Sequence, residues 1–186
     1  MTTLEQAQTR NAWDAIATGY DDFVTPSHMW LGNEGLRRAE LRPGMRFLDV
    51  AAGSGALSIP AARLGARMLA TDMSPVMLER LRRRAREEAL DIETGVMDGH
   101  ALELQDDTFD LAGSQFGVML FPDMPRGIGE MARVVKPGGC AASWPRPAWR
   151  TSASTRSPRR WSSGPDGTSG TGWSTAIRSQ ERSSPS

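Results

Sequence analysis

Short apolar runs alternate along the first 142 residues with segments in which apolar residues recur every three or four positions. The runs predict four buried strands, at residues 47–50, 68–72, 92–97 and 109–115. The periodic segments predict helices, the clearest at residues 56–64 and 75–89. Ser74 is the expected N-cap of the second helix and Pro75 its first residue. Strands that alternate with helices are typical of an α/β domain with a mostly parallel sheet.

The first forty residues have a helical pattern of their own. Apolar residues at helical spacing predict a helix over residues 4–19 that ends at Gly19. A loop that contains His28 is expected next, and Asn33 is the predicted N-cap of a short helix over residues 33–41. An isolated loop histidine is usually solvated, and a role for His28 as a catalytic base is the alternative.

The first strand leads into a turn that is bare of large side chains, Ala51-Ala52-Gly53-Ser54-Gly55. Gly53 and Gly55 lack the Cβ atoms that would keep a ligand away from the backbone. The free N–H groups of the next helix point back at this turn and favour a polar or anionic ligand group. Asp49 is expected to face the same crevice. Asp72 follows Gly55 by 17 residues, close to the spacing of ~20 at which an acid binds a ribose hydroxyl in nucleotide-binding units.

A turn that binds NAD would carry a third glycine where this chain has Ser58. That glycine allows the helix to pack closely on the strand around a pyrophosphate. Its absence weighs against an NAD-linked oxidoreductase. A strand–helix turn with a purely structural role is the other alternative for this segment.

The order of the motifs resembles that of class I S-adenosylmethionine (SAM)-dependent methyltransferases, in particular the ubiquinone/menaquinone-biosynthesis-like (methyltransferase type 11) group. The matching segments are Asp49-x-Ala51-x-Gly53-x-Gly55, Asp72, Asp98-Gly99, Phe109-Asp110 and the string from Glu130 to Gly139. Ala51 stands where that family usually has its first glycine. The resemblance covers about residues 10–142. It implies a Rossmann-like three-layer α/β sandwich with strand order 3-2-1-4, a partial fifth strand and no further C-terminal strands.

The resemblance also implies SAM as the cofactor and assigns residues to it. Asp72 would bind the ribose, Asp98 would accept the adenine amino proton, and Gly99, in place of the family's alanine, would offer its backbone N–H. The predicted cofactor-binding residues are Asp49, Ala51, Gly53, Gly55, Asp72, Met73, Asp98, Gly99, Gln115 and Tyr20. No catalytic base is assigned, and the chemistry requires no metal ion.

Two further segments are assigned to the mouth of the site. Trp13-Asp14-x-x-Ala17-x-x-Tyr20-Asp21 resembles the N-terminal lid helix of the same group, whose tyrosine region covers the bound SAM. Residues 115–121 would cross the opening. The resemblance thus implies a helical lid over residues 1–40 and an incomplete SAM-binding domain over residues 41–142. The implied partner is a small-molecule methyl acceptor.

Composition adds little that favours other partners. The formal net charge of the 186 residues is zero, which gives no reason to expect nucleic acid. The arginines of the 75–89 helix are expected to be neutralised by pairs at i,i+4, such as Glu79–Arg83 and Arg84–Glu88. No run approaches the ~20 apolar residues of a membrane span. The N-terminus lacks a secretion signal, and the single cysteine, Cys140, fits a reducing cytoplasm.

The pattern breaks where a fifth strand is expected. Pro145 and Pro147 cannot donate hydrogen bonds to a sheet, so a strand here should stop by Ser143 or Trp144. Residues 143–186 contain 12 serines and seven arginines, a composition that predicts a disordered Ser/Arg/Pro/Gly-rich tail. A frameshift in a GC-rich gene is our hypothesis for this break. Loss of most of the fifth strand would uncover the edge of the fourth, and self-association through that edge is then expected.

The sequence therefore predicts SAM-dependent methyl transfer to a small-molecule acceptor as the family function. The incomplete domain leaves open whether this chain is active. A non-catalytic fragment that binds SAM or a nucleoside is the alternative, and an NAD-linked oxidoreductase is disfavoured by Ser58.

Overall fold

The structure, a computed structural model, describes residues 3–144 and 149–150. Its strands are β1 Arg46–Val50, β2 Arg67–Asp72, β3 Ile92–Val96, β4 Phe109–Gln115, β5 Val135–Trp144 and β6 Trp149–Arg150. They form one sheet in the order β3-β2-β1-β4-β5-β6. The pairings among β1 to β5 are all parallel, and β6 pairs antiparallel with β5. The predicted parallel α/β sheet and its order 3-2-1-4-5 are confirmed. The expectation of no further strand after the fifth is wrong, because β6 adds a short antiparallel pair to β5.

Helices cover both faces of this sheet. They are α1 Thr3–Gly19, α2 Thr25–Arg38, α3 Ser58–Arg63, α4 Pro75–Glu87 and α5 Met124–Val134. Neighbouring residues of β1 show the two layers, because Phe47 packs in a core cluster with Leu36 of α2 while Leu48 packs in another with Met131 of α5. The alternation of a strand's side chains thus divides the core into two halves. None of the described helices is both long and apolar enough to cross a membrane.

The N-terminal helices differ from the sequence prediction. The α-helix α1 ends at Gly19, as predicted, but Gly19 keeps right-handed helical backbone angles and the chain continues through a π-helical turn, Tyr20–Val24, into α2. The predicted loop at His28 and the N-cap at Asn33 are therefore wrong, since both residues lie inside α2. Pro26 does not prevent this, because it lies at the start of α2, where its missing N–H leaves no hydrogen bond unmade.

A buried carboxylate fixes this helical segment against the domain. Asp21, in the π-helical turn, is fully buried. Arg84 of α4 donates to its Oδ1 at 2.5 Å and to its carbonyl oxygen at 3.0 Å. Arg83 donates to its Oδ2 at 2.7 Å. Arg83 also pairs with Glu87 at i,i+4, at 3.8 Å, as the spacing predicts. The i,i+4 pattern nevertheless predicted neutralisation within the helix, whereas Arg83 and Arg84 also neutralise Asp21 of another segment.

The predicted cap of α4 is confirmed, and its other ion pairs stay on the surface. The Ser74 hydroxyl oxygen accepts a hydrogen bond from the backbone N–H of Met77 at 3.0 Å. The i,i+4 spacing predicted Arg83 as the partner of Glu79, but Glu79 pairs with Arg82 and Arg86 instead. The apolar face of the helix, which includes Leu78 and Leu81, is buried against the sheet.

The edge of the fourth strand is not uncovered, and that prediction is wrong. β5 pairs with β4 from Leu111↔Cys140 to Gln115↔Trp144. The five residues 140–144 suffice to cover the end of β4, and all of them precede Pro145, the first of the two prolines that were expected to stop the strand. Most of the tail that the sequence predicts to be disordered lies outside the described residues, and self-association stays a prediction.

Replacement of Asp21 tests its role in stability. In Asp21→Ala, Arg83 and Arg84 lose a shared anion, so we expect the free energy of unfolding to fall by about 2–4 kcal/mol. Asp22→Ala, at the exposed neighbouring position, should change it by about 0.5 kcal/mol or less. Chemical denaturation monitored by circular dichroism measures both. Equal effects of the two variants would show that the buried carboxylate is not a structural anchor.

Candidate functional site

A cavity opens at the carboxyl ends of β1 to β4. Its volume is about 830 Å³ when the space open to solvent is included. The order of the strands reverses here, because β2 lies on one side of β1 and β4 lies on the other. Ligands bind at such a reversal in open α/β sheets. The lining residues are Thr9, Trp13, Tyr20, Ala51, Gly53, Asp72, Met73, Met77, Met97, Asp98, Gly99, His100, Gln115, Phe116, Gly117, Leu120, Phe121 and Pro122.

Eight of the ten residues that the sequence predicts for cofactor binding line this cavity. They are Ala51, Gly53, Asp72, Met73, Asp98, Gly99, Gln115 and Tyr20. Asp49 and Gly55 do not line it. The strand ends therefore bring most of the predicted set together, although its members are spread over 96 positions of the chain.

The turn after β1 and the acid at the end of β2 are joined directly. The backbone N–H of Gly53 donates to Asp72 Oδ2 at 2.9 Å, and that of Ser74 donates to Asp72 Oδ1 at 2.8 Å. Burial raises the pKa of Asp72 against the lowering effect of these two donors, and the nearby Asp14 charge adds to the rise. Each carboxylate oxygen keeps a second lone pair for a ligand hydroxyl.

A second carboxylate lies at the end of β3. Asp98 Oδ1 accepts hydrogen bonds from the backbone N–H of His100 at 2.9 Å and faces His100 Nδ1 at 2.7 Å. Burial alone would raise the pKa of Asp98, but the two His100 contacts outweigh it and the pKa is lowered. Asp98 therefore stays ionised and can accept a hydrogen bond from an amino group.

Aromatic residues of the N-terminal helices form the outer wall. Trp13 and Tyr20 pack edge to face with ring centroids 6.1 Å apart, and both line the cavity. Burial raises the pKa of Tyr20, and the charge of Asp72 adds to the rise. The phenol therefore stays neutral beside the carboxylate, and the wall is apolar apart from its hydroxyl.

Two glycines of the site are required by close packing. A Cβ at Gly99 would lie 2.5 Å from Cζ of Phe121, whose ring stacks on His100 with centroids 4.5 Å apart. A Cβ at Gly117 would collide with the Cβ of Ala51. Glycine in place of the family's alanine at position 99 thus accommodates Phe121, and Ala51 is accommodated by Gly117.

Ala51 adopts a backbone conformation that suits glycine. Its φ is +55°, in the left-handed region, which costs an alanine roughly 1 kcal/mol. The side chain nonetheless fits because position 117 offers no Cβ. The departure from the family motif is therefore compatible with the turn that follows β1.

Asp49 and Gly55 support the turn from behind. Asp49 is almost fully buried, and its Oδ2 accepts from the hydroxyl of Ser58 at 2.6 Å. Its Oδ1 is buried and has no hydrogen-bond partner among the described residues. Gly55 has a φ of +100°, and a Cβ there would lie 3.1 Å from both Ile59 and Leu81. The expectation that Asp49 faces the crevice is not met, because its carboxylate is turned toward the helix that begins at Ser58.

Gln115 connects the end of β4 to α2. Its Nε2 donates to the carbonyl oxygen of His28 at 2.9 Å, and the ring of His28 packs 4.9 Å from that of Phe116. The His28 ring does not line the cavity. A role for His28 as a catalytic base therefore has no geometric support.

The sequence prediction omitted several lining residues. Phe116 and Phe121 lie in the segment that was expected to cross the opening. His100 follows the Asp98-Gly99 motif directly, but its side chain was not assigned to the site. Thr9 lies one helical turn before Trp13, and a polar residue on the apolar face of α1 was the available signal. Met77 also lines the cavity, but it follows the apolar period of α4 and so has no sequence signal that separates it from core residues.

These features fit an adenosine-containing cofactor. One carboxylate, Asp72, has acceptor capacity for hydroxyl groups, and another, Asp98, has it for an amino group. The methionines and Phe121 supply apolar surface between them. The turn at Gly53 exposes backbone, since a Cβ there would have nothing closer than Tyr20 at 3.9 Å.

The buried carboxyl of Asp49 predicts a pH-dependent stability. Burial raises its pKa to about 7 against the hydrogen bond from Ser58, and the charge of Asp72 adds to the rise. In the unfolded chain the same group ionises near pH 4, so the folded state binds more protons between about pH 4 and 7. Relative to Asp49→Asn, the native chain should therefore lose about 1–4 kcal/mol of unfolding free energy from pH 4.5 to 8.

Denaturant titrations at a series of pH values measure this difference. Asp91→Asn, which changes an exposed carboxylate in the same way, is the matched control and should show almost no pH-dependent difference from the native chain. A flat difference for Asp49→Asn would mean that the buried carboxyl ionises normally.

Relatives and a family model match the same part of the chain. A family model described as a methyltransferase domain matches residues 47–139. An uncharacterized protein of Mycobacterium tuberculosis is 44% identical over 101 residues, which are 54% of this chain and 37% of that protein. A demethylmenaquinone methyltransferase of Corynebacterium kroppenstedtii is 37% identical over 145 residues, 74% of this chain and 60% of that enzyme. The chain thus spans about a third of the length of the mycobacterial relative.

Solved structures share the fold. A SAM-dependent methyltransferase from Aquifex aeolicus superposes with a TM-score of 0.61 at 20% identity, over 70% of this chain and 71% of that one. The [4+2]-cyclase SpnF superposes with a TM-score of 0.57 at 29% identity, over 61% of this chain and 43% of that one. The family model covers half of the 186 residues, including the turn after β1 and the ends of β2 to β4. The chain therefore belongs to the methyltransferase domain family of class I SAM-dependent methyltransferases.

Proposed function

We propose that the chain binds SAM in the cavity and transfers its methyl group to a small-molecule acceptor. The observation that carries this proposal is the arrangement of Gly53, Asp72 and Asp98 around one cavity at the ends of three neighbouring strands. Membership of the methyltransferase family supports the reaction class. The family fold also supports other activities, so the roles of the residues are argued from the site.

Each end of the cavity suits a different part of the cofactor. Asp98 would accept a hydrogen bond from the adenine amino group, and the neighbouring N–H of Gly99 would serve a ring nitrogen. Asp72 would accept hydrogen bonds from the ribose hydroxyl groups. The turn from Ala51 to Gly55 would leave room for the methionine moiety, because it presents backbone and no large side chain.

The bound cofactor supplies a methyl group on a positively charged sulfur. The chain would contribute by holding the acceptor in line with that group and by excluding water. Aromatic side chains are suited to excluding water, and three of them line the cavity: Trp13, Tyr20 and Phe116. The apolar lining also favours an acceptor with an apolar or aromatic body, such as a quinol or a small phenol.

Binding of SAM or a nucleoside without methyl transfer is the second candidate. The cavity lining includes groups suited to a cofactor, namely Gly53, Asp72 and Asp98, but no acceptor-binding residue has been assigned within it. An NAD-linked reaction has no comparable support, because Ser58 hydrogen-bonds to Asp49 at the position of the third glycine.

Replacement of Asp72 tests the site. We expect the chain to bind S-adenosylhomocysteine in titration calorimetry and Asp72→Asn to weaken this binding at least about 10-fold, because hydrogen bonds to a buried carboxylate are lost. Asp91→Asn removes an exposed carboxylate and should bind like the native chain. Thermal denaturation without ligand shows whether each variant is folded. Equal affinities of Asp72→Asn and the native chain would contradict the assignment.

Two further measurements separate the candidate functions. Binding of NADH in place of S-adenosylhomocysteine would overturn the proposal and restore the oxidoreductase. Transfer of a radiolabelled methyl group from SAM to quinol or phenol acceptors would establish the first candidate. Tight binding of SAM with no transfer to any acceptor would support the second.

A further inference from the structure

The helix α1 lies along the opening of the cavity and is attached to the domain near both ends. Thr9 and Trp13, in its middle, line the cavity. Near its C-terminal end, Asp14 Oδ1 accepts from the hydroxyl of Ser74, and Arg80 donates to the hydroxyl of Thr18, each at 2.5 Å. The buried Asp21 follows directly. The C-terminal end of α1 is therefore firmly held.

The other end of α1 is attached through a residue of the site itself. Gln6 Nε2 donates a hydrogen bond to Asp98 Oδ2 at 2.8 Å, across 92 positions of the sequence. Gln6 is half-buried and does not line the cavity, whereas Asp98 does. Between Gln6 and Thr18 the helix rises roughly 18 Å, so the two attachments lie on either side of the cavity opening.

Asp98 can serve the helix and a ligand at the same time. Its Oδ1 is occupied by the backbone and ring nitrogens of His100. Its Oδ2 accepts from Gln6 and keeps one lone pair. A donor in the cavity can therefore bind Oδ2 without displacing Gln6.

We propose that Gln6 is a latch that holds α1 closed over the nucleoside end of the cavity through Asp98. This inference rests on the proposed function, because it assigns a role to the lid when a cofactor is bound. Entry and release then require the Gln6–Asp98 hydrogen bond to break while the C-terminal half of α1 stays anchored. Gln6 is thus a positioning residue, which acts through Asp98 and the aromatic residues of α1 and touches no reacting atom.

The latch predicts a specific kinetic effect. Gln6→Met keeps the length and helix propensity of the side chain but removes the amide donor. We expect the dissociation rate of S-adenosylhomocysteine to rise roughly 3- to 10-fold and its affinity to fall, because the closed state is less populated. Gln8→Met makes the same change at an exposed position of α1 and should leave both quantities unchanged.

Dissociation is measured by chasing radiolabelled S-adenosylhomocysteine from the full chain with excess unlabelled ligand. Thermal denaturation without ligand supplies a readout that distinguishes a latch from a general loss of stability. A latch leaves the Tm of Gln6→Met within about 2 °C of that of Gln8→Met, whereas the Tm gained on adding ligand is smaller for Gln6→Met.

The outcomes separate the latch from the proposed function. If the native chain binds S-adenosylhomocysteine and both methionine variants release it at the native rate, the latch is overturned and the proposed function stands. Slower release or tighter binding by Gln6→Met also overturns the latch. If the native chain does not bind the ligand, the proposed function fails, and the latch fails with it.

Discussion

The hydrogen bond from the Gly53 N–H to the Asp72 carboxylate joins the two parts on which the site depends. It ties the turn after β1 to the end of β2, which are adjacent strands of the sheet. The parallel register places both groups at the same edge, where their contact is partly buried. The geometry at this edge of the cavity thus depends on the backbone that the sheet positions as well as on the Asp72 side chain.

Ion pairs with α4 hold the N-terminal helices to the rest of the domain. Asp21 would be costly to bury alone, and Arg83 and Arg84 compensate for it from α4. Because α4 begins at Pro75, three residues after Asp72, the segment that carries Asp72 also positions the wall formed by Trp13 and Tyr20. The aromatic wall of the cavity and Asp72 are therefore connected through α4.

The sheet and α4 could be predicted from sequence because their signals are local. An apolar run predicts a buried strand such as β1, and Ser74-Pro75 marks a helix start without reference to the rest of the chain. The continuous helix through Gly19 and Pro26 could not, since it depends on Asp21 meeting arginines 62 and 63 positions away.

The predicted site residues also divide into those with a local sequence signal and those whose orientation depends on packing. The motif places Asp72 and Asp98 at one cavity because Asp72 is the last residue of β2 and Asp98 follows β3 by two residues, and parallel strands end at the same edge of the sheet. Asp49 and Gly55 belong to the same motif, but packing against Ser58, Ile59 and Leu81 turns them away from the cavity. The contribution of α1 through Gln6 leaves no sequence pattern, because a single glutamine at helical spacing is common on solvated helices.

Positions 51 and 117 form one steric unit, and this limits how the chain can change. The methyl group of Ala51 occupies the space that a side chain at 117 would need. Alanine at position 51 therefore requires glycine at position 117. Even with glycine at 51, a Cβ at 117 would lie 3.0 Å from the carbonyl oxygen of residue 51 and from Ser114 Oγ. The volume available at this turn thus keeps position 117 a glycine for as long as alanine occupies position 51.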